Sequence, residues 1–295
     1  MAQFRKNHHK QASKSGSMIT KVGIFGGLMA ALMFAYNIFS GGSKEVEDSQ
    51  ELRMDESFLP SVKNGVIVRH QYYILSYDED NEQAEWTAHI LTKENLDKEW
   101  HSRSGDFRED PLVKSGSAAL SDYRGSGYDR GHLVPSADMA WDSEAMSETF
   151  YLSNMSPQSH DFNKGIWREL EELTRNWAKK YKQLYVITGP ILDDSAKGEI
   201  GSNHVTIPAA YFKVLLDLTD PEHKAIAFVI PNEISYEPLY KYAHSIDEVE
   251  EMTGLDFFED LMSNAEEKRL EGSFNIDLWA FNKHKFELRR DKWNK

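Results

Sequence analysis

A run of 18 uncharged residues near the amino terminus, 22–39 (VGIFGGLMAALMFAYNIF), partitions this chain before any fold is considered. It approaches the ~20 residues needed to cross ~30 Å of hydrocarbon. Five basic residues and no acidic one precede it (Arg5, Lys6, Lys10, Lys14, Lys21), and Glu45, Glu47, Asp48 and Glu51 follow it. The positive-inside rule then places the amino terminus in the cytoplasm and the remainder outside. The expected organisation is a basic cytoplasmic arm at 1–21, a transmembrane anchor at 22–40, an acidic linker at 41–60 and one domain at 61–295. A cleaved signal peptide is the competing reading. The apolar run is longer than the ~7–15 residues of a signal-peptide core, and no A-x-A cleavage site follows it. A mitochondrial presequence would be rich in arginine, and only Arg5 is present. The domain is therefore expected on the outer side of a bacterial cytoplasmic membrane, in the periplasm or at the cell surface. Secretion after cleavage and a mitochondrial setting are the alternatives.

The remaining residues suffice to bury a substantial core. No cysteine occurs in the chain, which removes disulfides, thiolate nucleophiles, iron–sulfur clusters and cysteine-based zinc sites. Any metal must sit on His, Asn, Asp or Glu. The net charge is −14. Setting aside residues 1–21 leaves 29 basic against 48 acidic residues, a net −19. A body this acidic is ill suited to coating nucleic acid, so any contact with it must rest on basic residues concentrated at a site.

Residues 66–68, 71–77 and 86–91 are β-branched and aromatic, with a polar run at 78–83 that suggests a hairpin. Residues 184–188 (LYVIT) precede Gly189-Pro190 and read as a buried strand; 205–207, 211–216 and 225–230 also read as strands. Ile166, Leu170, Leu173, Trp177 and Tyr181 recur at the spacing of an amphipathic helix. A second helix is expected over 246–252, ended by Gly254. Strands and helices mix without βαβ alternation, which predicts an α+β domain with a mixed or antiparallel sheet and packed helices.

Two stretches carry chemistry. The first is YDRGHLVP, Tyr128 to Pro135. The second begins with Asn154 in NMSPQ and continues through Asn163, Trp167, Leu170 and Glu171. His132 alone could be structural. It has Gly131, which permits close backbone approach, Arg130, a planar fork suited to phosphate, and Asp129, which could fix an imidazole or hold Arg130. A base, a phosphate clamp and a small residue within four positions suit phosphodiester chemistry. Asn163 at a helix start is either an N-cap or a neutral oxygen ligand for Mg²⁺. Glu171 lies eight residues on. In a continuous helix that is ~12 Å along the axis on nearly the same face, so any role at one metal would run through coordinated water. The plain readings of Glu171 are a solvated carboxylate or an i,i+4 pair with Arg175.

The combination YDRGHLVP, YLSNMSPQ and N…W..LE resembles the DNA/RNA non-specific endonuclease family, and the resemblance spans about residues 65–275. It implies a ββα-metal active site, Mg²⁺ (with Mn²⁺ as a substitute), and hydrolysis of DNA and RNA to 5′-phosphate products. It assigns His132 as general base, Asn163 as metal ligand, and Glu171 to the metal's water shell. Arg130 and Arg103 become substrate arginines, with Arg108 as a substitute for Arg103, and Asn154 supports the site. Two other functions compete: a phosphodiesterase acting on small nucleotides, and a membrane-tethered nucleic-acid binding or uptake protein. The oligomeric state is not readable.

Overall fold

The computed structural model describes residues 56–294. The anchor, arm and most of the linker expected at 1–60 lie outside the described residues. No helix among the described residues is long and apolar enough to cross a membrane.

The strands in chain order are β1 (Val66–Arg69), β2 (Ile74–Asp78), β3 (Gln83–Thr92), β4 (Asp129–His132), β5 (Met155–Gln158), β6 (Gln183–Pro190), β7 (Glu199–Ile200), β8 (Val205–Thr206), β9 (Ala210–Asp217), β10 (Lys224–Pro231) and β11 (Ala243–His244). Seven of them form one sheet in the order β1-β2-β3-β6-β9-β10-β11, every neighbouring pair antiparallel. The expected α+β class holds, and the sheet is antiparallel rather than mixed. Asn81 and its neighbours turn the expected β2–β3 hairpin, where the Asp78 carboxylate accepts from the Asp80 and Asn81 backbone N–H groups.

Both faces of the sheet are covered. In β9 the side chains alternate strictly. Tyr211 and Leu215 belong to one core, with Leu170, Leu173 and Trp177 of the helix Arg168–Tyr181. Phe212, Val214 and Leu216 belong to the other, with Ile246 and Val249 of the helix Ile246–Thr253 and Leu270 of the helix Asn264–Glu271. That second pair of helices forms what we call the far face. Ser245 and Glu248 form a capping box at the start of Ile246–Thr253, and Gly254 ends it in the left-handed conformation.

β4 and β5 stand apart as a two-stranded antiparallel ribbon with Gly131 opposite Ser156 and His132 opposite Met155. A helical segment follows directly, so the ββα order expected for the site is present. Gly131 is required by packing: a Cβ there would lie 2.1 Å from the Gln158 side chain.

Candidate active site

The helix expected to begin at Asn163 begins earlier and breaks. Ser159 caps it, accepting from Phe162 N at 3.4 Å, and one turn covers His160–Phe162. Residues Asn163–Trp167 form a π turn in which Gly165 departs from helical values (φ −95°, ψ −110°). The regular α-helix resumes at Arg168. Asn163 is therefore not the N-cap, and the ~12 Å spacing to Glu171 inferred from a continuous helix does not apply. An isolated glycine within the helical pattern was the visible signal for this break.

The π turn leaves the Asn163 side chain to the site. Its Nδ2 donates to Asp129 Oδ2 at 2.9 Å, and its Oδ1 accepts no hydrogen bond among the described residues. Asp129 thus orients Asn163. It also meets an imidazole, but that of His160 (3.1 Å) rather than His132. Asn163, Asp129, Arg130 and Arg103 line one cleft of about 490 Å³ together with Arg124 and Phe107. Arg124 was not singled out from sequence, where an isolated arginine in a Gly/Ser loop carries no pattern.

Arg130 lies over the Phe107 ring, 4.3 Å from its centroid, and Arg103 over Phe150 at 4.9 Å. Arg103 Nη1 also donates to Ser136 Oγ at 3.0 Å. Both guanidinium groups keep donors for a ligand in the cleft. Arg108 is instead held by Asp106, the Ser147 carbonyl and the Tyr151 ring.

His132 packs edge-on against Phe150 (4.9 Å) and near Phe107 (5.8 Å) and is 8% exposed. Its Nε2 is buried without a hydrogen-bond partner. Burial, then the positive charges of Arg103 and Arg130, push its pKa down to about 3. The imidazole is therefore neutral across the physiological range. Asn154 is fully buried. Its Oδ1 accepts from Val134 N (2.9 Å), and its Nδ2 donates to the carbonyls of Val134 (3.0 Å) and Thr149 (2.9 Å). It clamps the backbone just beyond His132.

Glu171 forms no salt bridge with Arg175. The partner of Arg175 is Asp138, at 2.7 Å, and Asp138 is also held by His89 at 3.2 Å. Burial alone would raise the Asp138 carboxyl, but the His89 hydrogen bond and the Arg175 charge hold it below its ordinary value. Burial pushes Glu171 up to about 7 against the pull of Arg175 and Lys213. Lys213 is 1% exposed and donates to Thr188 Oγ1 at 2.5 Å. Burial lowers it to about 8, opposed by Glu171 and Asp138. Sequence reading missed Asp138, His89 and Lys213. Lys213 had a signal, since it shares strand parity with Tyr211 and Leu215, which face the core.

The donors present suit a hard divalent cation: an amide oxygen without a hydrogen-bond partner beside the Asp129 carboxylate, with no sulfur ligand. The sequence profile of the DNA/RNA non-specific endonuclease family matches residues 53–264. Human mitochondrial endonuclease G is 36% identical over 206 residues, covering 65% of this chain and 69% of the relative. Nuclease C1 of Cunninghamella echinulata var. echinulata is 36% identical over 214 residues, covering 66% of this chain and 83% of the relative. A chain of the crystal structure of the EndoG/EndoGI complex superposes with a TM-score of 0.62 at 34% identity, covering 68% of this chain and 89% of that one. With the site on its ββα segment and the profile spanning most of the folded residues, the chain belongs to the DNA/RNA non-specific endonuclease family.

Proposed function

We propose that this protein hydrolyses phosphodiester bonds of DNA and RNA without sequence specificity, using His132 as general base and one Mg²⁺ (or Mn²⁺) at Asn163. The observation that carries the reading is the buried, neutral His132 with an unpartnered Nε2, in the field of the two cleft arginines. A free imidazole nitrogen that is not already protonated can accept a proton from water. The resulting hydroxide forms a bond to phosphorus, and the bond from phosphorus to the 3′-oxygen breaks. The departing oxygen takes a proton from water to become the 3′-hydroxyl, and the imidazolium returns its proton to solvent. The product end then carries a 5′-phosphate. Arg130 and Arg103 bind the phosphoryl oxygens and oppose the charge that builds there. Asn163 would hold the cation through Oδ1, with Asp129 fixing the amide, and Glu171 would orient coordinated water. When bound, the cation supplies charge neutralisation at the phosphate and leaving oxygen. Asn154 keeps His132 in register through the backbone at Val134. The backbone is common to all sequences, so arginines aimed at phosphate require no base reading.

The test is incubation of the full chain with supercoiled plasmid and with RNA, with and without EDTA. Cleavage of both that EDTA abolishes is expected. Sequence-restricted cutting or activity in EDTA would overturn the reading. Binding without cleavage would favour an uptake protein, and activity on nucleotides alone a small-substrate phosphodiesterase.

The charge asymmetry around 22–39 supports a membrane tether with the domain outside the cytoplasm. The mitochondrial names of relatives such as human endonuclease G support the mitochondrial alternative. Protease treatment of intact cells or organelles, followed by amino-terminal sequencing of the mature chain, separates the two.

A further inference from the structure

The far face carries a second constellation that the nuclease reading does not use. Asp247 and Glu250 stand one turn apart on Ile246–Thr253, and Glu271 is the last residue of Asn264–Glu271. One carboxylate oxygen from each lies within 4.8 Å of the others. Glu271 is 4% exposed, and its Oε1 is buried with no hydrogen-bond partner. The negative end of a helix favours Lys, Arg or His, so a buried, unpartnered glutamate there breaks a local rule and calls for a compensating positive charge.

The described residues do not supply that charge. Among the described residues, none of the three carboxylates is paired with Lys, Arg or His within salt-bridge distance. Glu250 accepts one bond, from Phe257 N at 2.9 Å, which leaves its other oxygen available. Gly272, directly after Glu271, lets the chain turn close to the Lys268 carbonyl, from which a Cβ there would lie 2.8 Å. Asp247 is exposed, so the constellation opens to solvent on one side and coordinated water can complete a shell.

We propose that Asp247, Glu250 and Glu271 bind one Ca²⁺ at the meeting point of the two far-face helices. A site made of carboxylates with positions open to water matches the flexible, many-oxygen shell of Ca²⁺ better than the near-ideal octahedron that Mg²⁺ demands. The ion would tie together two helices that otherwise meet through like charges. The site lies on elements separate from His132 and Asn163 and is independent of the catalytic reading.

Calorimetric titration of the metal-free full chain with CaCl₂, paired with thermal unfolding, tests this. The set is the native chain, Glu271→Gln, Asp247→Asn and Asn163→Ala. The native chain and Asn163→Ala are expected to bind Ca²⁺ at the far-face site, with a rise in melting temperature. Glu271→Gln and Asp247→Asn are expected to bind it at least tenfold more weakly and to lose that rise. Both should retain native-like nuclease rates in excess Mg²⁺, which reports that they fold. Asp247→Asn changes an exposed side chain and serves alone if Glu271→Gln does not fold. Calcium binding that survives the tested far-face substitutions, no Ca²⁺ binding by the native chain, or equal affinity for Mg²⁺ would overturn the assignment.

Discussion

The two faces of the sheet treat buried charge in opposite ways. On the catalytic face, Asp138 is matched by Arg175 and His89, and Glu171 lies in the fields of Arg175, Lys213 and Arg103. On the far face, residues 247–271 hold ten carboxylates against two basic side chains. There Glu271 is pushed up to about 8 by burial, and then by Glu250 and Glu267. A compensated network fixes geometry because each charge has a partner to keep, whereas an uncompensated one remains responsive to protons or cations. The difference also reconciles a net charge of −14 with a polyanionic substrate. Over 103–130, where the cleft arginines lie, acidic and basic residues number five each.

The sharpest test of the catalytic face is His132→Ala. Loss of a general base costs about 10²–10⁴ in rate, and cleavage assays should show that loss in a protein whose circular dichroism is unchanged. A folded variant that cuts normally would show that the imidazole is only a packing element.

Lys213→Met breaks compensation directly. Removing one partner from a buried charge network costs about 3–5 kcal/mol, and denaturant melts should register a loss of this order. Adding Glu171→Gln should restore much of the stability but not the activity. If the single substitution is silent in melts, Lys213 does not balance Glu171.

Gly131→Ala forces a methyl group into the Gln158 side chain. Overpacking of this kind costs about 1–3 kcal/mol, and the ribbon shift should lower cleavage further than the melting temperature suggests.

The far face gives the pH test. The Glu271 carboxyl is raised in the folded state, so its contribution to stability is full below the unfolded value and lost as pH rises through about 8. In EDTA, the melting temperature of the native chain should fall between pH 5 and pH 9 more than that of Glu271→Gln. Parallel curves would remove Glu271 as the source.

The smallest signal is spectroscopic. With a pKa near 3, the His132 ring resonances should not titrate between pH 8 and pH 5. A His132 midpoint above 6 would mean the pocket is wetter than its packing indicates.

Much of this was legible in the sequence, for reasons that differ by element. The strands from 66 to 91, 184 to 188 and 211 to 230 showed themselves because β-branched and aromatic runs end at turn residues. The helix at 168–181 showed itself through its apolar stripe. The residues in the two motifs were legible because they are close in sequence. The network behind them was not: His89 and Arg175 reach Asp138 across 49 and 37 residues, and only the folded sheet brings them together. On spacing alone Asn163 read as a helix cap or a ligand, because spacing does not reveal a π turn. His70, which we did not single out, pairs with buried Asp110 in the same long-range manner.

The clamp on the helix after the π turn bears on where this domain can be cut. The family match stops at 264, yet the chain beyond it is stitched into the catalytic core. Arg289 pairs with Glu169 at 2.6 Å, both nearly inaccessible to solvent. Trp177 Nε1 donates to the Ala280 carbonyl (3.0 Å), and Tyr181 OH to that of Leu278 (2.6 Å). Asn294 lies beside Gly165, whose Cβ position is 2.9 Å from Asn294 Oδ1. A fragment trimmed at the homology limit would strand the Glu169 carboxylate, strip the helix that carries Glu171 of its brace, and discard Glu271. For anyone preparing a soluble form, the carboxyl-terminal thirty residues are scaffolding rather than tail.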